Sequence, residues 1–211
     1  MGLVDSKIYK SLEFIMTFFV LNLIWLIMCL PIFTIFPATT AMFGVVREWK
    51  RHGDTPVLAT FFRILKENFI QSFIVGSLWT GFAILLLVDF MFTNQLTSDI
   101  KYLLFTFFFG LTLFFILSTV VIFPVLAHYK VTAITAIKNA LILSIRYLPN
   151  TLLSLVVLCI IIALCFYFPA ATLLAFSIGA YLIYSIAELV FKKIGRMGVS
   201  NRLRHQFSRN S

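Results

Sequence analysis

Residues 30–54 read LPIFTIFPATTAMFGVVREWKRHGD. The stretch opens at the end of an apolar run, breaks at Pro31, stays apolar past Pro37 and closes in a basic cluster edged by Trp49. The sixteen residues from Pro31 to Val46 carry no charge. As one helix they would reach about 24 Å at 1.5 Å per residue, short of the roughly 30 Å hydrocarbon core, and two prolines oppose an unbroken helix. They read as a short, membrane-inserted segment, with Pro31 and Pro37 as its structural break, that turns the chain back to the side it came from.

Outward from this stretch the composition is that of a bilayer protein. Of 211 residues, 61% are hydrophobic and 12% charged, with a mean hydropathy of +1.03, too little polar surface to cover a soluble globule. Five apolar runs are long enough to span: Leu12 to Leu30, Phe69 to Phe92, Tyr102 to Ala127, Asn150 to Phe168 and Ala170 to Phe191. The first follows Lys7 and Lys10 as a leader would, but it lacks a small-residue cleavage pattern and is read as a retained helix. A polar turn, Thr93 to Asp99, separates the second and third full spans, and Phe168-Pro169-Ala170 makes the last two a tight hairpin. The expected fold is all-α and polytopic, one membrane domain over residues 1–211, with five full spans and the one short Pro-broken segment.

Charge gives the orientation. Of 17 Lys and Arg, two precede the first span, five lie in 47–66, three in 130–146 and six in the tail 192–211, leaving only Lys101 elsewhere. If the short segment returns to its own side, 16 of the 17 share one face, which the positive-inside rule makes cytoplasmic. Both termini are then cytoplasmic in a multi-pass membrane protein. Were the segment not inserted, the N-terminus with Lys7 and Lys10 would lie outside. The net charge of +9 is thus a topology signal, and nucleic acid is not among the expected partners. The basic tail suits anionic headgroups, at about 1 kcal/mol per basic residue near the surface.

Two cytoplasmic segments carry helical periodicity. After Thr55 and Pro56, a cap and first-turn pair, Leu58, Phe61, Phe62, Leu65 and Phe69 form one stripe, with Thr60, Arg63, Lys66 and Glu67 opposite. In 132–146, Ile134, Ile137, Leu141, Ile145 and Leu148 recur against Thr132, Thr135, Asn139 and Arg146. Each segment leads into a span, so residues 55–127 and 131–191 read as repeated units of amphipathic helix and hairpin, after an N-terminal unit at 1–54. Arg63, Lys66, Lys138 and Arg146 mark the expected partner-docking face.

The run NLIWLIMCLPIFTIFPATTAMFGVVREWKRHGDTPVLATFFRILKENFIQS at 22–72, with FPVLAHYKVTAITAIKNALILSIRYLPNTLL at 123–153, resembles the YesL-like family of small bacterial membrane proteins, a family of unknown function. The resemblance covers nearly the whole chain. It implies a neighbourhood, beside sugar-uptake ABC transporters and carbohydrate-utilisation genes in Gram-positive bacteria, and no catalytic residues.

The residues themselves place no ionisable group at mid-membrane, where a proton or ion carrier would need one. Glu13 and Glu188 fall near cytoplasmic ends, Asp89 near an outer end, and Glu188 has Lys192 four residues on. Asn22, Thr80, Thr112, Ser118 and Ser177 are weak polar groups suited to helix packing. Motifs of metalloproteases, serine hydrolases and phosphate loops are missing, so no enzyme activity, cofactor or metal is expected. Cys29, Cys159 and Cys165 are expected as buried free thiols, and His52, His128 and His205 as interfacial side chains. Two functions of different class remain. One is an accessory or scaffold component of bacterial carbohydrate uptake, with ABC transporter subunits or a regulatory membrane protein as partner. The other is a small permease or channel, with the broken segment lining the path and Thr39, Gly44 and Gly81 as positions where bulk would block it. A true ABC permease subunit fits poorly: Leu148-Pro149 matches the close of a coupling loop, but Ala136 stands where its glycine belongs.

Overall fold

The computed structural model describes residues 3–53, 55–95 and 100–209, and these contain helices and no strand. Residues 96–99 of the expected outer turn lie outside the described residues, as do the side chains of the N-terminal residues 3–11 and of the tail from 197. The order is α1 (Leu3–Met28), α2 (Ile35–His52), α3 (Val57–Gln95), α4 (Ile100–His128), α5 (Ala133–Arg146), α6 (Leu148–Tyr167) and α7 (Thr172–Arg209). Stretches in α3, α4 and α6, and residues 169–196, are long and apolar enough to cross a membrane, and α1 adds the shorter apolar run Leu12–Met28. The chain is an all-α polytopic membrane protein.

The reversal after α1 is local chemistry. Pro31 is extended (φ −76°, ψ 121°) and precedes a single 3-10 turn at Ile32–Thr34. The Thr34 hydroxyl lies 2.6 Å from the Pro31 carbonyl and also contacts the Met28 carbonyl, an acceptor that the end of α1 leaves open. Pro37 falls in the first turn of α2. There its missing N–H is one that has no intrahelical acceptor in any helix, so α2 runs through it unbroken. At the other end Gly53 has φ +74°, a left-handed conformation suited to glycine, and its N–H reaches the Trp49 carbonyl at 3.0 Å.

α2 is the centre of the bundle. Ala38, Ala41, Val45 and Val46 are inaccessible, and the helix packs against α1, α3, α4 and α7. Small residues let its neighbours approach closely. A Cβ on Gly44 would stand 2.7 Å from the Ile64 side chain, and one on Gly76 would stand 2.5 Å from Cγ of Phe36.

The two expected repeat units differ in form. The first amphipathic segment and its span are one 39-residue helix, α3, because no proline or glycine interrupts residues 57–75. In the second, α5 ends at Arg146, Tyr147 follows as its cap, and α6 starts with Pro149 in its first turn. The α3–α4 hairpin is joined by the Phe90–Phe105 ring contact at 5.7 Å and by Trp79 Nε1 donating to Thr119 at 2.9 Å.

Three finer readings change. Thr60, placed on the outer stripe of α3, is buried with Phe61, Ile64 and Leu65, since α2 covers that side. On α5 the packed residues are Ala136, Ala140 and Ser144, and the large isoleucines Ile134 and Ile145 are exposed. Cys159 is exposed on α6 where burial was expected.

Candidate functional site

The densest chemistry lies where the basic end of α2 meets the ends of α4 and α7. Arg47 donates to the Ala127 carbonyl near the end of α4 and to Glu48 Oε1 at 2.7 Å. Lys50 donates to Glu188 Oε2 at 3.0 Å, and Lys192 stands 2.9 Å from Glu188 Oε1, so one carboxylate on α7 bridges two ammonium groups. The i,i+4 half of this bridge follows from helical spacing; Lys50, 138 residues distant, is supplied by the fold. His128 Nδ1 lies 2.9 Å from the Tyr184 hydroxyl, and its ring packs on Phe191 with centroids 4.3 Å apart. Burial alone would raise the Glu48 carboxyl, but the hydrogen bond and charge of Arg47, with His52 and Arg63 behind it, hold it below the usual carboxylate range. The collar therefore sets three cations against two carboxylates, with every one of these five groups in an ion pair. It locks α2 to α4 and α7 rather than presenting open charge to a ligand.

Open charge lies on two other surfaces. On α3, Arg63 and Lys66 are exposed beside Leu58 and Phe62, which are also exposed. Leu58, Phe62 and Lys66 recur every four residues, so apolar and basic groups share one outward face. Gln71 Nε2 reaches the Val131 carbonyl at 2.6 Å just beyond α4, so the α3 residues before Gln71 continue past the end of that helix. On α5, Lys138 and Arg146 are exposed. The two basic pairs thus belong to separate helices, linked at their base by Glu67 and Lys130 at 3.8 Å. Pro31 and Pro37 lie at the opposite end of α2 from the collar, away from both pairs.

The positions named for a solute path occupy three settings. Thr39 borders an apolar cavity of about 200 Å³, where it accepts from Trp25 Nε1 at 3.1 Å. Gly44 is packed on Ile64, and a Cβ on Gly81 would meet nothing within 4 Å. Among the described residues there is no group of three or more His, Cys, Asp or Glu placed to hold a metal ion.

Residues 18–90 match the family described as "Protein of unknown function, DUF624". The "Uncharacterized protein YteU" of Bacillus subtilis (strain 168) is 29% identical over 201 residues, 92% of this chain and 89% of its own length. The "Uncharacterized protein YesL" of the same organism is 30% identical over 185 residues, 84% of each chain. No solved structure matches significantly.

Proposed function

This chain belongs to the DUF624, YesL-like family, and from that membership and its geometry we propose that it is a non-enzymatic accessory or scaffold component of bacterial carbohydrate uptake. In this reading it docks a subunit of an ABC transporter, or a regulator of one, on the cytoplasmic side of the cell membrane. The observation that carries the proposal is the outward face of α3, where Leu58 and Phe62 stand beside Arg63 and Lys66. Large apolar groups flanked by unspent positive charge, on a helix whose other side is buried against α2, form a rigid surface suited to a groove with an acidic rim. The collar supports the same reading, since it fixes α2, and through it α3, without a direct ion pair to Arg63 or Lys66.

The test is co-purification from native membranes in mild detergent, wild type against Arg63→Glu with Lys66→Glu. Loss of a co-purifying transporter subunit in the charge-reversed protein is the expected result, with topology shown unchanged by thiol labelling. Solute flux through the purified wild-type protein alone in liposomes would overturn the proposal in favour of a permease.

A further inference from the structure

Among the described residues, none covers the outer face of α5. Ile134 is 76% exposed, Ile142 49% and Ile145 59%. The same helix turns Ala136, Ala140 and Ser144 inward, all buried, with Ile137, Leu141 and Leu143 half-buried against the same core. A helix at a water boundary keeps polar and charged residues, not a row of isoleucines, on the face turned away from the protein.

The register of α5 says which solvent it meets. The Ser144 hydroxyl lies 3.1 Å from that of Ser118, both buried. Ser118 precedes the end of α4 at His128 by ten residues, roughly 15 Å of helix. Ala136 and Ala140 share one core cluster with Ile122, Val125, Val75 and Trp79. α5 therefore climbs back along α4, from the level of Tyr129 into the layer occupied by the apolar spans. Its charges fit that place. α5 carries Lys138 and Arg146 and no acidic residue, Lys193 lies 5.9 Å over the Tyr147 ring at its end, and Lys130 stands before its start. Long basic side chains on an apolar helix reach back to phosphates while their stems stay in hydrocarbon.

We infer that α5 lies in the cytoplasmic leaflet of the bilayer, with Ile134, Ile142 and Ile145 among the acyl chains and Lys138 and Arg146 reaching lipid phosphates. The partner of this face is phospholipid, not a second copy and not a docked protein. Its inner face closes on α4 by small residues, the packing that suits helices surrounded by lipid. The inference does not depend on any transporter partner.

The experiment uses the full chain, with Cys29, Cys159 and Cys165 replaced, reconstituted into phosphatidylcholine–phosphatidylglycerol vesicles. Nitroxide labels are placed singly through Ile142→Cys and Ile145→Cys. Ile160→Cys on the exposed side of α6 serves as a hydrocarbon reference, and Arg51→Cys at the end of α2 as an aqueous one. Relaxation by oxygen and by a water-soluble nickel complex is then compared. The expected result is oxygen-dominated relaxation at both α5 positions, like that of the Ile160 reference. Nickel-dominated relaxation like that of the Arg51 reference would overturn the inference by placing the face in water. Low accessibility to both reagents would overturn it by showing protein cover.

Discussion

The central placement of α2 is most sharply tested by two identical substitutions in α3, Gly76→Ala and Gly81→Ala. Both glycines stand inside one continuous helix, five residues apart. Alanine in a helix interior is favoured over glycine by about 0.8–1 kcal/mol. At Gly81 nothing opposes that gain, since the added methyl meets no atom within 4 Å. At Gly76 it would stand 2.5 Å from Cγ and 2.8 Å from Cβ of Phe36. These are the stem of the side chain rather than its free end, and the ring is held from the other side by Phe123, with centroids 5.3 Å apart. Overpacking of this kind costs about 1–3 kcal/mol.

The two variants should therefore separate by about 1–3 kcal/mol, with Gly81→Ala at or above wild type and Gly76→Ala at or below it. For a chain of this size each kcal/mol moves the midpoint by about 2–4 °C. Thermal unfolding in detergent, followed by the monodisperse fraction on size exclusion, resolves such a split. Phe36→Ala in the Gly76→Ala background should lose less stability than it does alone, because the two sites are in contact. If Gly76→Ala melts with or above Gly81→Ala, α2 does not stand against the middle of α3 and the central packing described above fails.

Gly179→Ala should behave more like Gly81→Ala. Its methyl meets mainly Ile161 Cδ1, a free end that can swing into the adjoining 200 Å³ cavity, and a melting loss as large as that of Gly76→Ala would contradict this. Ser118→Ala and Ser144→Ala should couple in a double-mutant cycle by ~0.6 kcal/mol, the average for hydrogen bonds between membrane helices, and strict additivity of their midpoints would count against the α4–α5 register. Cysteine at Thr97 should react with an impermeant thiol reagent in intact cells, while cysteines at Ser6, Gly53 and Asn201 should not; labelling at Ser6 would place the N-terminus outside. Glu48 has a depressed folded-state pKa, so its contribution to stability is present above the ordinary carboxylate range and lost as pH falls through the folded value. Glu48→Gln should therefore lose less of its midpoint than wild type over that acid range, and equal losses would show that the Arg47 pairing adds nothing.

What could be read from the residues alone depended on which solvent the reading assumed. The uncharged run from Pro31 to Val46 reads as an inserted segment, and most of it forms α2, the helix at the centre of the bundle. Its Ala38, Thr40, Ala41 and Gly44, small enough for close approach, were the signal that this segment would be the centre rather than a lining. On α5 and just past its end, the rule for a helix facing water selects Ile134, Ile137, Leu141, Ile145 and Leu148 as the packed stripe; Ile137 and Leu141 do pack on the core, whereas Ile134, Ile145 and Leu148 are exposed. Beside lipid there is no gain in turning large apolar groups inward. Packing then selects the small residues, and Ala136, Ala140 and Ser144 at intervals of four were already visible as that face.

The collar divides in the same physical way. Glu188 and Lys192, one helical turn apart, were legible because the period of the helix brings them together. Lys50 and Arg47 were not, because their partners Glu188 and the Ala127 carbonyl come from helices whose neighbours only the packing of α2 decides. Pairing explains why some of the basic residues expected on the cytoplasmic face are unavailable to a partner, whereas Arg63 and Lys66 stay open. Positive charge near these helix ends serves two ends at once. By the positive-inside rule such charge favours one orientation during insertion, and what the collar leaves unpaired is what a partner or a lipid phosphate can use. A substitution that moves charge from one class to the other, such as Glu188→Gln freeing Lys50 and Lys192, should weaken the lock between α2 and α7 while leaving the face on α3 intact. Loss of thermal stability without loss of a co-purifying partner would separate the two roles.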